Sequence, residues 1–325
     1  MGNERFKAKV SALDLLRTSG NFENAIPIVR KALRDPSAYV VAKAAAVARQ
    51  GYLCDLLPDV VAAFTRLLAT GDDDPGCRAK DEIAKALKDL DHHDPAAYVL
   101  GLAHVQLEPV WGGKVDVAGP LRATCAQALV ACDIDATALL SLLVDHFIDP
   151  DKWVRIDIAR AIAQLDRPES ALLLRLKALS GDKEAEVVGQ CLLSLLEIAP
   201  VESLAFVARF LAENNDDVRF EAVNALAQAK SPEAVGHIVR FWAAEMTFEL
   251  RLATVAALAA SPHAEAAEFL LGIVRDRAGD VGSAALAALA SSRFRGEMRE
   301  RAAAEVARSG NVRLERAFAE HFSPT

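Results

Sequence analysis

Aromatic residues, turn-forming residues and long hydrophobic runs are all scarce in this sequence. Only 6% of the 325 residues are aromatic, and the chain has 17 glycines and 13 prolines. Because strands favour aromatic and β-branched side chains, this profile favours close-packed helices and excludes an all-β fold. No apolar run approaches the roughly 18 residues that span a bilayer, and the start, MGNERFKAKV, has no apolar signal segment. The sequence therefore predicts a soluble protein.

Cysteines are few and their spacing is uninformative for metal binding. There are five, an odd number without a C-x-x-C motif, so neither a disulfide framework nor a zinc finger is indicated. Hydrophobic residues make up 52% of the chain and charged residues 25%, which is enough for a core and excludes a disordered chain. A reducing cytoplasm is the expected location.

The net charge of -8 is unevenly distributed. Residues 1–50 carry a net charge of +5, whereas residues 51–150 carry -9. Binding to nucleic acid or to anionic lipid depends on Lys and Arg that neutralise phosphates, so the acidic middle disfavours both partners. Only the N-terminal segment offers a basic patch.

One pattern recurs along the chain. An acidic residue is followed six positions later by Arg or a substitute, and then by apolar residues three, four, six and seven positions further on. The clearest copies begin at Asp116, Asp149 and Glu245, and the looser ones at Asp35, Asp74, Asp182, Glu213 and Asp276. From the third copy onward the last apolar position, here called the apolar ladder, recurs every 31 to 33 residues. The apolar ladder consists of Ala48, Leu87, Leu129, Ile162, Leu195, Leu226, Leu258 and Leu289.

Each copy predicts a pair of helices. The spacing places the apolar side chains on one face of a helix, helix B, and the Asp-Pro pairs that start at Asp35, Asp74 and Asp149 predict Pro at its first position. A second apolar-periodic stretch before each B predicts a helix A. Since a pair of about 31 residues cannot bury both apolar faces alone, neighbouring pairs must stack.

The pattern resembles the HEAT-repeat family, especially its short bacterial type first associated with phycobilisome lyases. The resemblance rests on the turn acid, on Val-Arg pairs such as Val154-Arg155 and Val218-Arg219, and on the A-x-x-A-L rhythm that follows. It implies an all-α solenoid of stacked antiparallel helix pairs, a right-handed superhelix without a sheet. It also implies a structural ladder in which acids and arginines bond between repeats. The ladder residues here are Asp116, Arg122, Asp149, Arg155, Arg219 and Arg251.

We expect one solenoid domain over residues 1–325. An unpaired capping helix occupies residues 1–22, nine helix pairs follow, and residues 294–325 form a divergent C-terminal cap. In three copies the Arg position holds a residue without a positive charge, so the ladder is expected to be interrupted there. These positions are Val41, Val188 and Gly282.

Known catalytic motifs are absent. The sequence contains no G-x-S-x-G, Walker or G-x-G-x-x-G motif. The adjacent histidines His92 and His93 alone do not provide the three or four convergent ligands of a metal site. The His-Glu dipeptides with which deoxyhypusine hydroxylases, a HEAT-repeat family, hold iron are also missing. We therefore expect a protein that is not an enzyme and has no cofactor or metal.

One segment departs from the repeat. Leu87 and Leu129 are 42 residues apart, and the extra residues fall in an inserted loop at 107–118 with one Pro and two Gly. Insertions on a rigid scaffold commonly carry function. The alternative is that Trp111 folds back over an apolar edge. The candidate binding residues of the loop are Glu108, Trp111 and Lys114.

The leading hypothesis is a scaffold that binds another protein or peptide on its concave surface. In this family helix B lines that surface, and its outward positions here are polar in the middle of the chain and Ala toward the C-terminus. Such a groove suits an amphipathic helix or an extended peptide, although Ala can also reflect helix propensity alone. The candidate residues of this concave strip are Asp157, Arg160, Gln190, Glu221 and Asn224.

The alternative hypothesis is an enzyme or enzyme accessory of the HEAT-like class, similar to chromophore lyases or DNA glycosylases, with a pocket near the loop. A glycosylase-like site would use Trp111, Asp116 and Trp153. The acidic segment at 51–150 suits a phosphate backbone badly, so a nucleic acid is not expected as partner. Membrane binding is not expected either, and the sequence leaves the oligomeric state open.

Overall fold

The structure is a computed structural model that describes residues 2–70, 74–165, 167–244, 246–276 and 279–323. Within them the chain is almost entirely helical, with nineteen α-helices and one two-stranded sheet. It divides into two compact units, a first unit of Met1–Leu165 and a second unit of Asp166–Thr325. No helix in the described part combines the length and the apolar character needed to cross a membrane.

In its described residues the first unit contains nine α-helices and the sheet. They are α1 (Gly2–Ser19), α2 (Ala25–Leu33), α3 (Ala38–Gln50), α4 (Leu57–Ala69), α5 (Arg78–Asp89), α6 (Pro95–Leu102), β1 (Leu107–Val110), β2 (Gly113–Asp116), α7 (Gly119–Leu129), α8 (Ala136–Asp145) and α9 (Lys152–Gln164). Short 3₁₀ turns precede α4, α5 and α9, at Cys54–Leu56, Pro75–Cys77 and His146–Ile148.

The second unit contains ten helices in its described residues. They are α10 (Pro168–Ser180), α11 (Ala185–Ile198), α12 (Pro200–Ala208), α13 (Asp216–Gln228), α14 (Glu233–Trp242), α15 (Phe248–Leu258), α16 (Ala264–Asp276), α17 (Asp280–Ser291), α18 (Arg295–Ser309) and α19 (Val312–Phe322). A 3₁₀ turn at Arg209–Ala212 precedes α13.

Helices follow one another in pairs within each unit. In the first unit α2 packs on α3, α4 on α5, α6 on α7 and α8 on α9, and the second helices of successive pairs contact each other from α3 to α9. In the second unit the same chain of contacts runs from α11 through α13, α15 and α17 to α19. The predicted helix A and helix B of each repeat are therefore both present, and α1 precedes the first pair.

The apolar ladder lies in the core. All eight of its residues are buried, and none is more than 1% exposed. Small Ala residues between them, such as Ala84 in α5 and Ala159 in α9, are also fully buried and allow the helices to approach closely. The spacing in the sequence therefore identified the inward face of helix B correctly.

The predicted start of helix B was wrong in detail. Pro36 and Pro150 precede α3 and α9 by two residues, and Pro75 begins a 3₁₀ turn instead of α5. The preceding acids explain this, because Asp35 Oδ1 accepts the Ser37 amide and Asp149 Oδ1 accepts the Asp151 amide, which closes a tight turn before the helix. A separate cap then starts α9, where the Asp151 side chain accepts the Trp153 amide.

The expectation of a fold without any sheet was also wrong. The inserted loop forms β1 and β2, which pair antiparallel from Leu107 opposite Asp116 to Val110 opposite Gly113. The strands are only four residues long, and the fold class remains all-α. The segments expected to form terminal caps contain α1 and, at the other end, α18 and α19, while Met1, Pro324 and Thr325 lie outside the described residues.

Candidate binding surfaces

The inserted segment is a β-hairpin between α6 and α7. Its two strands are joined by Trp111 and Gly112, which form a two-residue turn. Gly112 has a φ of +88°, a conformation that glycine adopts without steric cost. The turn therefore carries Trp111 at the tip of the hairpin.

The Trp111 side chain is wholly exposed, at 103% of its reference area. The neighbouring apolar side chains of Leu107, Val110 and Val115 are also exposed, and so is Lys114. Trp111 therefore does not fold back over an apolar edge, which was the alternative that the sequence left open. Val110 and Val115 lie on one face of the hairpin and Leu107 on the other. Exposed apolar side chains on one element, with Trp111 at its tip, are typical of an interaction site.

A buried polar cluster anchors the base of the hairpin. The Nζ of Lys80, which is fully buried in α5, donates to Gln106 Oε1 at 2.8 Å and lies 3.6 Å from Asp74 Oδ2. Gln106 Nε2 donates to the Asp74 carbonyl at 2.7 Å and to Glu108 Oε1 at 2.8 Å. Glu108 Oε1 also accepts the Gly76 amide at 2.6 Å. Because these groups satisfy one another, they fix the hairpin to the turn before α5.

Arg122 links the other end of the hairpin to the turn before α9. Its side chain is buried in α7 and forms a fork on Asp149, with Nε to Oδ2 at 2.7 Å and Nη2 to Oδ1 at 2.9 Å. Nη1 donates to Asp116 Oδ2 at 2.6 Å and to the His104 carbonyl at 3.0 Å. The structure thus brings together Asp116, Arg122 and Asp149, three of the proposed ladder residues.

The carboxylates of this cluster are held in their ionised form. Burial alone would raise the pKa of Asp149, but hydrogen bonds from His146, Arg122 and the Asp151 amide hold that pKa well below its usual value. Burial likewise opposes ionisation of Asp116, and the amides of Ala118 and Gln106 together with Arg122 lower its pKa. Both acids therefore remain charged at neutral pH and serve as acceptors.

Arg155, the next ladder arginine, is buried and donates to main-chain oxygens. Its Nη1 lies 2.6 Å from the Asp149 carbonyl and 3.2 Å from the Pro150 carbonyl. Arg155 thus secures the turn that begins its own helix, while the Asp149 side chain bonds to the preceding pair.

The ladder expected at Arg219 is not observed in that form. Arg219 pairs with Asp216, three residues earlier in the same helix, because α13 begins with that acid and places it on the same face. Asp216 in turn accepts from Thr247 Oγ1 at 3.1 Å. The Arg251 guanidinium lies 5.0 Å from the centre of the Trp242 ring. The acid expected to precede it, Glu245, lies outside the described residues.

The concave strip has two members in the first unit. Asp157 and Arg160 lie on α9 and pair with each other, with Nη1 3.0 Å from Oδ1. Gln127 of α7 donates to the Asp157 carbonyl at 2.7 Å. Arg160 is exposed, so this part of the strip is a polar and solvent-accessible surface.

The other three members lie in the second unit. Gln190 is on α11, and Glu221 and Asn224 are on α13; all three are half-buried. The Glu221 side chain packs directly over Gly189, where a Cβ would collide with it. Burial and the nearby charge of Glu186 raise the pKa of Glu221. Glu221 is therefore a partly desolvated acid, unlike the paired acids of the first unit.

Trp153, a second exposed aromatic residue, follows the turn before α9. Asp149 of that turn is linked through Arg122 to Asp116 at the end of the hairpin. Trp153, at the start of α9, is 59% exposed, and Ile148 in the preceding 3₁₀ turn is 85% exposed. The Lys152 Nζ lies 5.5 Å from the centre of the Trp153 ring. We call the hairpin 107–116 and the turn 148–153 together the aromatic edge.

The histidine pair does not form a metal site. His93 Nδ1 lies 2.7 Å from the Ala131 carbonyl, and burial lowers the pKa of His92. Throughout the described ranges no group of three or more His, Cys, Asp or Glu side chains is arranged to hold a metal ion.

The sequence did not identify Lys80 and Gln106 as parts of the hairpin anchor. Lys80 stands at the Arg position of the copy that begins at Asp74, so its place in the repeat is the signal that could have found it. Gln106 lies outside the repeat, and no pattern in the sequence marks it.

Comparison with known proteins identifies no family. No protein-family model matches the chain, and no curated protein matches it either. Among solved structures, the crystal structure of an engineered protein is similar over 97% of this chain and 92% of its own, with 17% identity and a TM-score of 0.34.

Proposed function

We propose that this protein is a HEAT-like α-solenoid that acts as a non-enzymatic scaffold for another protein or peptide. Stacked repeats bury a continuous core between neighbouring pairs and leave long surfaces for partners. The pairwise order of the helices, the contacts between successive B helices within each unit and the buried apolar ladder support this architecture.

The observation that carries the proposed function is the hairpin tip. A buried polar cluster holds the base of a two-stranded hairpin that would be marginal on its own. That rigid base presents a wholly exposed Trp111. Because Trp contributes much of its binding energy when it becomes desolvated at an interface, we take Trp111 as an anchor for a partner.

The concave strip supports the same function with polar contacts. Asp157 and Arg160 in the first unit, and Gln190 and Asn224 in the second, are solvent-accessible to different degrees and can exchange their present hydrogen bonds for bonds to a peptide. Within either unit, polar side chains on the B helices are suited to an extended or helical segment.

The enzyme alternative receives less support from the geometry around Asp116. A glycosylase-like site needs a free carboxylate near Trp111. Both Asp116 oxygens already accept hydrogen bonds, Oδ1 from the amides of Gln106 and Ala118 and Oδ2 from Arg122. This carboxylate is therefore committed to a structural role and is poorly placed to act as a general base.

The test is affinity capture from the native cell extract, followed by a binding measurement with each purified partner. Trp111→Ala should weaken the complex by about 1 to 3 kcal/mol because it removes an interface anchor. Replacing Gln190 and Asn224 together by Ala should weaken it by a similar amount. Leu172→Ala is the matched control, since Leu172 is an exposed apolar residue far along the sequence from the hairpin.

Trp111→Ala and Leu172→Ala should keep the unfolding midpoint of the wild type, because exposed residues contribute little to stability. The midpoint of the Gln190 and Asn224 variant is measured as well, since these two residues are half-buried, and its affinity is compared below that midpoint. A partner whose affinity ignores both changes would exclude these surfaces as the binding site. A bound pigment seen in the absorbance spectrum, or a measurable turnover, would favour the enzyme alternative instead.

A further inference from the structure

The N-terminal end of the first unit carries an open groove of about 710 Å³ between α1 and α2. Its floor is apolar and is formed by small or branched side chains, several of them exposed. Leu13 closes the bottom, and Ile28 stands 44% exposed at the side.

The groove lies where the single helix α1 packs on the pair formed by α2 and α3. α1 packs mainly on α3 and meets α2 only along one side. Farther along the unit α2 contacts α4, and α4 contacts α6. On its other side α2 contacts α1, and the groove opens between these two helices. A further helix laid over the groove would contact both of them.

The rim of the groove is basic. Its lining contains three cations, Lys9, Lys31 and Arg34, against one carboxylate, Asp35. Asp35 is buried and pairs with Lys9, and Arg34 pairs with Asp59. Lys31 is exposed and forms no ion pair within the described part of the chain. The rim therefore keeps an excess of positive charge on a protein whose overall net charge is -8.

The shape and the charge select the same kind of occupant. From Ala8 to Leu13 the floor extends about 7.5 Å along α1, which accommodates one to two turns of a helix at about 1.5 Å per residue. A helix with apolar residues three or four positions apart can place them against Ile28 and Leu13. Acidic residues beside that stripe would reach Lys31 and the other rim cations.

We propose that this groove docks an amphipathic, acidic helix of a partner protein. Its apolar stripe packs against Ile28 and the apolar floor of the groove, and its carboxylates pair with Lys31. The groove shares no residue with the aromatic edge or with the concave strip, so this site is separate from the one argued above.

The probe is a fluorescein-labelled synthetic peptide of about 18 residues, five helical turns, with Leu spaced three and four residues apart and Glu on both flanks of the stripe. Anisotropy is measured with the full chain. We expect binding that Ile28→Glu weakens at least tenfold and Lys31→Glu at least fivefold, and that weakens as salt is raised. The control Leu15→Glu changes an α1 residue that is 67% exposed and does not line the groove, and it should leave the affinity within twofold.

Several outcomes would overturn the proposal. The first is that the acidic peptide does not bind at about 100 μM. The second is that a peptide with Lys in place of Glu binds equally well. The third is that Leu15→Glu and Ile28→Glu reduce the affinity for the peptide equally. Binding of palmitate to the protein, lost in Ile28→Glu, without any binding of the peptide would assign the groove to a lipid. Self-association in sedimentation that Ile28→Glu abolishes would assign it to a second copy. Trp111→Ala must leave peptide binding unchanged, so failure here is distinguishable from failure of the proposed scaffold function.

Discussion

Removing the Arg122 guanidinium should destabilise the first unit severely. Arg122→Ala deletes two hydrogen bonds to Asp149, one to Asp116 and one to the His104 carbonyl. Three charge-assisted bonds at about 1.5 kcal/mol each, the lower end of their usual range, sum to about 4.5 kcal/mol. Breaking a buried ion pair by deleting one partner typically costs about 3 to 5 kcal/mol, which agrees. We therefore expect a loss of about 3 to 5 kcal/mol.

The measurement is urea unfolding followed by far-ultraviolet circular dichroism. Hydrogen exchange should localise the loss to peptides from α7 and from the start of α9, because Arg122 connects these two elements. Arg160→Ala is the matched control, since it removes an exposed arginine that pairs with Asp157 three residues away on the same surface. Exposed pairs contribute at most about 1 kcal/mol, so the control should stay within that limit.

The pH dependence tests whether the loss is electrostatic. The folded-state pKa of Asp149 is lowered, so in the wild type its contribution is complete above the unfolded pKa, about 3.9, and is lost as the pH falls through the folded value. In Arg122→Ala the buried carboxylates of Asp116 and Asp149 lack their cation. Acidification protonates them and so reduces the destabilisation of the variant. The difference in unfolding free energy between variant and wild type should therefore become smaller from pH 7 toward pH 4. A variant within about 1 kcal/mol of wild type, or a loss independent of pH, would refute the reasoning.

Three further changes have distinct expected outcomes. In urea unfolding, Leu226→Ala should lower the unfolding free energy by about 2 to 5 kcal/mol because it opens a cavity in the core. Leu193→Ala, at a half-buried position, should lower it by less than about 1 kcal/mol. The reverse order would refute the assignment of inward and outward positions on helix B. Glu221→Gln should stabilise the protein at pH 7. The pKa of Glu221 is higher in the folded than in the unfolded state, so the wild type loses stability as the pH rises from the unfolded pKa through the folded pKa. Equal slopes of unfolding free energy against pH in variant and wild type would contradict this. In the native state a thiol reagent should modify exposed Cys54 rapidly and Cys125 only on unfolding, since burial raises the pKa of the Cys125 thiol well above its usual value; rapid modification of both would show that α7 opens locally.

The helix pairs were predictable because helical periodicity is a local property. Spacings of three, four, six and seven place side chains on one helix face in any context, and the apolar ladder is buried throughout as expected. The start of each helix B was less predictable. An Asp-Pro pair can either begin a helix or close a turn before it, and the side-chain bonds of Asp35 and Asp149 decide for the turn. Those bonds depend on the geometry of the folded turn.

The hairpin had a local signal that the sequence analysis did not use. Two short stretches that contain Val flank Trp111-Gly112, and a two-residue connection with Gly is typical of a β-hairpin. The pairing of Arg219 with Asp216 also had a local signal, since the two lie three residues apart in one helix. The groove between α1 and α2 had none, because it arises from how one cap helix covers a pair.

The position of the hairpin follows from the residue that replaces Arg at one step of the repeat. The planar guanidinium of Arg122 donates two hydrogen bonds to the Asp149 carboxylate, one to each oxygen. The compact ammonium of Lys80 cannot make such a bidentate contact. A buried ammonium needs separate acceptors around it, and the segment that enters the hairpin supplies Gln106 Oε1 as one of them. Glu108 then bonds the same Gln106 and the turn before α5. The insertion and the lysine are therefore one structural feature, and this coupling explains why the exposed tip at Trp111 stands on a rigid base.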